Sequence, residues 1–333
     1  SVSCLLNSRS NNRYDGTPWM FSKLDSSPVN LGLSGTSLLP IICALWVKYK
    51  YKAKLIVEIR DIWPKTLIDI SGISKYHPLI LLIGICERIS YKNADWIVST
   101  FPNFGQHVKN ILIHEDFNFT CIPQGIPIKL LDSNSKLDSD FTEKYFRDAS
   151  FKVAYAGAIG PSNALDTIID VACELDKSSH DIKFYFLGEG AEKERLFNKS
   201  KNCRNVEFVP RIRREYVQDF LSHCDLMYDS VKNIDLYDYG LSRQKWMDYM
   251  YAEKPLLVSY SGYKSIINEA ECGTYVPAED EEVLKEAIID YSKKEKDELK
   301  SIGKNGKEYV LKYRRFNILA SKYENIFDVL LDE

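Results

Sequence analysis

"KVAYAGAIGPSNALDTIIDVACELDKSSHDIKFYFLGEG" runs from residue 152 to 190 and decides the architecture. Its first eight residues are mostly apolar and β-prone, and Gly157 and Gly160 fall within four positions at their end. Residues 163–177 then place apolar side chains at helical spacing, and residues 182–188 return to a strand pattern. A strand, a turn, a helix and a second strand in under forty residues make a β-α-β unit. Such a unit requires parallel strands with the helix crossing over one face.

Outward from this unit the alternation continues. Helical 191–200 precedes strand-like 206–209, helical 214–224 precedes "DLMYDSV", and a helix over 242–252 precedes "PLLVS" at 255–259. A helix at 265–270, a strand at 273–276 and a helix at 281–294 complete the series. The first half repeats the pattern with strands at 52–60, 95–100 and 119–123 and helices at 79–94 and 104–112. Residues 130–150, polar and turn-rich, read as a linker. The expected fold class is α/β, with two Rossmann-like domains and a cleft between them at the carboxyl edges of their sheets.

Composition narrows the function. The 333 residues exceed one ordinary core. A formal charge of −3 argues against a broad nucleic-acid surface, so no nucleic-acid partner is expected. The eight cysteines form no CxxC clip and fall mostly in apolar stretches, so they read as reduced thiols of a cytosolic protein. The five histidines show no ligand spacing, and neither a metal nor a cofactor is expected. The apolar runs 37–47 and 78–86 are too short to span a bilayer, and no signal peptide is expected from the opening residues. A cytoplasmic protein is expected.

Candidate site residues cluster at strand ends. Gly157 and Gly160 occupy the turn after the first strand of the second half, with Ser162 or Asn163 placed to cap the following helix. Such a turn either admits a phosphate to backbone N–H groups or is glycine-rich for geometry alone. Gly188 and Gly190 repeat the device, but the GxGxxG pattern fails at its third glycine, which weighs against a nicotinamide enzyme. The helix over 242–252 carries Ser242, Lys245 and Asp248. It reads either as a binding element or as a solvated helix with an i,i+3 Lys245–Asp248 pair. The Asp-Ser-Asp at 138–140 reads as solvated linker rather than a metal–diphosphate site. Arg60 and Asp61, in "RDIWP", follow a strand and are either functional or a salt bridge closing its end.

Several segments recur in an order that resembles one family. "VAYAGAIGPSNALDTIIDVA", "FLGEGAEKERL", "YGLSRQKWMDYMYAEKPLLVS" and "EAECGTYVP" lie in the second half, and "EIRDIWPKTLIDISGI", "NADWIVSTFPN" and "IPQGI" in the first. Over residues 36–330 the chain resembles the retaining GT-B glycosyltransferases of family 4, with greatest similarity to O-antigen and capsule enzymes of the L-fucosaminyltransferase type. The resemblance implies a GT-B fold of two Rossmann-like domains facing across a cleft. Residues 1–149 would form an acceptor-binding domain, 150–312 a nucleotide-sugar domain, and 313–333 a helix packing back toward the first. Relatives have further β-α units before the strand at 52–60, so the N-terminal domain is expected to be incomplete, with 26–40 reading as joined pieces.

For the site, the resemblance maps the second acid of a Glu-x7-Glu motif, the ribose ligand, onto Asp248. The first falls on Gly240, so the motif is incomplete. Lys245 would face the donor diphosphate, the Gly157–Gly160–Asn163 turn would offer N–H groups to the phosphates, Arg211 and Ile212 would edge the base, and Ser242 would complete the donor site. Asp61 would lie near the sugar or acceptor hydroxyl and Arg60 near the phosphate. The implied function is retaining, metal-independent transfer of a sugar, such as N-acetyl-L-fucosamine, from a UDP-sugar to a polyprenyl-diphosphate-linked precursor of a bacterial surface polysaccharide. The alternative is an inactive or partner-dependent nucleotide-sugar-binding subunit. A lipid-linked acceptor adds the expectation of peripheral contact with the inner face of the cytoplasmic membrane. Its surface candidates are residues 37–54, with Lys48, Lys50, Lys52 and Lys54, and residues 75–93; both also read as core helices.

Overall fold

The computed structural model describes residues 3–7, 30–35, 40–128, 135–178 and 180–332. The proposed join at 26–40 lies largely, and the linker at 130–150 partly, outside the described residues. Elements run β1 (Ser3–Asn7), β2 (Asn30–Gly35), α1 (Ile41–Tyr51), β3 (Lys54–Ile59), α2 (Lys65–Asp69), α3 (Pro78–Asn93), β4 (Trp96–Ser99), α4 (Phe104–Leu112) and β5 (Phe119–Cys121). Then follow α5 (Ser139–Phe146), β6 (Phe151–Ala156), α6 (Asp166–Lys177), β7 (Ile182–Leu187), α7 (Lys193–Lys199), β8 (Val206–Val209), α8 (Val217–Ser222) and β9 (Leu226–Ser230). The chain ends with α9 (Gln244–Tyr251), β10 (Leu256–Ser259), α10 (Ile266–Glu269), β11 (Gly273–Val276), α11 (Glu281–Ser292), α12 (Lys296–Tyr313) and α13 (Phe316–Asp332).

Two compact units divide the chain. One comprises Ser1–Pro123, Asp238–Ser242 and Asn317–Glu333; the other comprises Gln124–Tyr237 and Arg243–Phe316. In the second unit six parallel strands take the order β11-β10-β9-β6-β7-β8. This is the doubly wound Rossmann order, and strand order reverses between β6 and β9. Every residue of β9 is buried, as a central parallel strand covered on both faces requires. Its core joins Val153, Ile168, Ile169, Phe184 and Leu226 with Leu284 and Ile288 of α11.

The first unit has the order β1-β2-β3-β4-β5, parallel except for the β1–β2 pair. Helix α13 belongs to this unit, where Leu319, Ile326 and Leu330 share a core with Ile56, Val98 and Ile122. Helices α1 and α3 bury one face each. The other faces leave Ile42, Trp46 and Tyr49 on α1, and Leu79, Leu81, Leu82, Ile85 and Ile89 on α3, exposed to solvent. Spacings of three and four residues put Ile42, Trp46 and Tyr49 on one stripe of α1 and Leu81, Ile85 and Ile89, with Leu82 beside them, on one stripe of α3. The Tyr49 hydroxyl donates to Asn93 Oδ1 at 2.8 Å and ties the two stripes together. Each helix therefore contributes to the core, as one sequence reading has it, and also presents apolar side chains outward. Lys48, however, pairs with Asp95 at 2.6 Å, and the Lys50 ammonium lies 4.4 Å from the Trp46 ring centroid.

The reading of all eight cysteines as reduced thiols is corrected at two positions. Cys173 of α6 and Cys203, ahead of β8, form a disulfide. A separation of thirty residues gives no hint of pairing; the β7–α7 excursion folds the chain back to bring them together. The thiol argument for a cytosolic location therefore no longer covers the whole set. Cys86, Cys224 and Cys272 are free and buried, and Cys43 is free and exposed. Among the described residues no helix is long and apolar enough to cross a membrane.

Candidate active site

At the carboxyl ends of β6 and β7, beside the point where strand order reverses, lies a cavity of about 360 Å³ within the second unit. Gly157, Gly188, Glu189, Arg211, Ile212, Arg214, Lys245 and Asp248 line it together with neighbouring apolar residues. Of the residues singled out from sequence, Gly157, Gly188, Arg211, Ile212, Lys245 and Asp248 meet here.

The helix that carries two of them is not a solvated one. Trp246, Met247, Asp248, Tyr249 and Met250 of α9 are all buried. Its Tyr249 hydroxyl accepts from Ala156 N at 2.8 Å and donates to Ala156 O at 2.9 Å, anchoring α9 to the end of β6. Lys245 and Asp248 each have partners elsewhere. The Lys245 ammonium donates to Asp229 Oδ1 at 3.1 Å and to the Tyr155 hydroxyl at 2.7 Å, and lies 4.1 Å from the Tyr155 ring centroid. The Asp248 carboxylate accepts from the Arg214 guanidinium. Burial pulls the Lys245 ammonium down to about 8, with Asp229 opposing the fall and Arg243 adding to it. Burial also raises the Asp248 carboxyl above its ordinary value, against the pull of Arg214.

The glycines have distinct roles. A Cβ on Gly157 would stand 2.9 Å from Lys245 Cε and would displace the end of the lysine side chain. Gly188 and Gly190 bring the second turn against the first: a Cβ there would lie 1.8 Å from Gly157 O and 2.0 Å from Ile159 O. At Gly160 the nearest atom is Asn163 Nδ2 at 3.9 Å, and no close approach demands glycine. Gly157 N donates to Leu187 O at 2.9 Å and Ile159 N to Glu189 O at 2.8 Å, so these N–H groups serve turn-to-turn bonding.

Asn163 does not cap α6, which starts at Asp166 after a short 3₁₀ turn at Pro161–Asn163 and a left-handed Ala164. Its buried side chain braces the turn, with Nδ2 donating to Ala158 O at 2.8 Å and Oδ1 accepting from Arg243. Ser242 lies one residue before Arg243, the N-cap of α9, and groups with the first unit.

Arg60 and Asp61 also belong to the first unit, in the bend after β3. Arg60 is exposed and pairs with Glu58 at 3.0 Å rather than with Asp61. Asp61 is half-buried, and burial raises its carboxyl despite Arg60 nearby. Trp63 Nε1 is buried without a hydrogen-bond partner. The reading of 138–140 as solvated linker is corrected: Asp138 caps α5 by accepting from Phe141 N at 2.7 Å, so this stretch opens a helix.

Sequence reasoning passed over three members of the cluster. Tyr155 and Arg214 carry no local signal. Asp229 does: it is a carboxylate inside the apolar run of β9, where a charge must find partners.

A six-stranded Rossmann unit with a cationic and a carboxylate side chain in its strand-end cavity, together with a second α/β unit, defines the GT-B class of fold. Residues 138–309 match the family of glycosyl transferases group 1, and the chain belongs to it. Solved structures similar to this chain include sucrose-phosphate synthase of Thermosynechococcus elongatus (TM-score 0.67, 15% identity, 91% of this chain and 73% of that one). HepE of Anabaena in complex with UDP and glucose matches with TM-score 0.61 and 13% identity over 88% of this chain and 76% of that one. WaaG, a glycosyltransferase involved in lipopolysaccharide biosynthesis, matches with TM-score 0.60 and 14% identity over 84% and 79%. At these identities the likeness is one of fold. No curated protein sequence matches the chain.

Proposed function

We propose that the protein is a family 4 enzyme that transfers a sugar, with retention, from a UDP-sugar to a lipid-linked precursor of a bacterial surface polysaccharide, N-acetyl-L-fucosamine being the sugar favoured by the motif resemblance. The observation that carries this reading is the placement of Lys245 and Asp248 in one strand-end cavity. A diphosphate needs a cation and a ribose needs a hydrogen-bond acceptor, and here they stand one helical turn apart. The complex of HepE with UDP and glucose supports a nucleotide-sugar donor in this fold.

In the proposed reaction the bond from the anomeric carbon to the β-phosphate oxygen breaks, and the acceptor oxygen bonds to the same face of that carbon. The acceptor proton passes to the departing phosphate. Lys245 balances the growing diphosphate charge, and Arg211 and Ile212 border the base. Asp61 and Arg60 would serve the acceptor side from the N-terminal domain. Catalysis then rests on placement and electrostatics. Titrating the protein with UDP-, GDP- and dTDP-sugars and assaying transfer tests this. UDP-sugars should bind tightest, and transfer should persist in EDTA. Failure to bind any nucleotide, or a strict need for Mn²⁺ or Mg²⁺, would overturn the reading.

A lipid-linked acceptor requires work at the inner face of the cytoplasmic membrane. The outward stripes of α1 and α3 support a peripheral contact there: they expose Ile42, Trp46, Leu81 and Ile85, and the one carboxylate on either helix, Glu87, is buried. Lys50 and Lys52 flank them, each worth about 1 kcal/mol at an anionic surface. Ile42→Ser with Ile85→Ser should abolish sedimentation with phosphatidylglycerol-containing vesicles, and Lys50→Glu with Lys52→Glu should weaken it in a salt-sensitive way. Unchanged sedimentation of both would exclude this surface.

A further inference from the structure

Asp229 is 1% exposed, in the middle of the sheet, and three side chains converge on it. Trp246 Nε1 donates to Oδ2 at 2.7 Å, Arg243 Nε lies 3.3 Å from the same oxygen, and Lys245 Nζ lies 3.1 Å from Oδ1. One negative charge is thus shared by two cations. Only Lys245 lines the cavity; Arg243 is turned inward to Asn163 and the carbonyl of Ser230.

We propose that Asp229 is a positioning residue that keeps Lys245 charged and aimed into the cavity. This rests on the reading of that cavity as a diphosphate site. A lysine in such a place faces two adverse influences, loss of water and the like charge of Arg243, and both favour the neutral amine, which cannot balance a phosphate. The Tyr155 ring and hydroxyl on β6 also hold the ammonium but bring no charge. Asp248, one turn along α9, is committed to Arg214. Of the carboxylates around the lysine, Asp229 is therefore the one that meets it directly. The fall of Lys245 only to about 8 agrees with that opposition. The bare Gly157 completes the device by leaving room for the end of the lysine side chain. Trp246 and Arg243 would by themselves satisfy a buried carboxylate, so a purely structural role for Asp229 would leave Lys245 indifferent to it.

The test reads Lys245 directly, with no ligand present. The full chain is labelled with [13C]lysine, the Lys245 13Cε resonance is identified by its loss in Lys245→Arg, and its titration midpoint is followed. Asp229→Asn should lower the midpoint by about one pH unit or more, whereas Arg243→Gln, which removes the competing cation, should raise it. Trp246→Phe removes a hydrogen bond to Asp229 without changing any charge and should leave the midpoint in place, whatever it does to the melting temperature. The basic limb of kcat/KM should move with the midpoint in each variant. An unmoved midpoint in Asp229→Asn, or a shift in the same direction in Arg243→Gln, overturns the proposal. If Asp229→Asn does not fold, the direction of the Arg243→Gln shift decides. Absence of nucleotide binding would instead defeat the donor-site reading, and the resonance would still report on the lysine.

Discussion

Lys245→Ala should lower the turnover number by about 10²–10³-fold, the usual loss when one preorganised donor to developing charge is removed. Binding of uridine itself should change little. The reason is timing: the leaving diphosphate gains charge as the glycosidic bond breaks, so the ammonium is worth more in the transition state than in the ground state. The pH dependence carries a matching signature. A lysine is charged below its pKa, and this one lies at about 8 in the free protein. The kcat/KM of the wild type should therefore fall as pH rises through about 8, and kcat/KM reports the free enzyme. That limb should be missing from Lys245→Ala and displaced to higher pH in Lys245→Arg. Steady-state kinetics over a pH series would check both; an unchanged turnover number would remove Lys245 from the phosphate site.

Asp248→Ala should weaken UDP binding by about 1.5–3 kcal/mol, the worth of hydrogen bonds to a charged group, or roughly ten- to a hundredfold in Kd. Folding should suffer little. The partner left behind is Arg214, about half exposed at 48%, and water can solvate it. Asp248→Asn keeps an acceptor oxygen and should lose less. Because burial raises the Asp248 carboxyl, wild-type affinity should also decline on the acid side, as pH falls through that raised value and the acceptor is protonated. Calorimetric titration with UDP would measure all three. Equal affinity of Asp248→Ala and wild type would mean that the ribose is held elsewhere.

The strands and helices of the second unit were legible because each buried parallel strand is a short continuous apolar run and each crossover helix repeats its apolar positions every three to four residues. Residues 152–156, 182–187 and 256–259 announce themselves in this way. The role of α9 was legible only through motif order, since its own composition suits a wet helix. What makes it a buried element is the distant pairing of Tyr249 with Ala156 and of Trp246 with Asp229. Asn163 was misassigned as a candidate cap because nothing in a sequence distinguishes a capping amide from one turned inward to an arginine eighty residues away. Arg214 and the Cys173–Cys203 bond escaped for the same reason: their partners are set by how turns and helices pack, not by spacing along the chain.

The chain passes between its two units four times, at residues 123–124, 237–238, 242–243 and 316–317. Neither unit is a single stretch of polypeptide, and this governs how the protein can be dissected. A fragment ending at Pro123 would lack Leu319, Ile326 and Leu330, leaving Ile56 and Val98 facing water where α13 should lie. A fragment spanning Gln124–Phe316 would carry Asp238–Ser242 away from the unit to which that segment belongs, immediately ahead of the helix bearing Lys245 and Asp248. Cutting the gene once therefore does not yield two self-sufficient halves. Separating them cleanly takes a circular rearrangement that joins the C-terminal helix to the first unit and bridges residues 237 and 243 in the second.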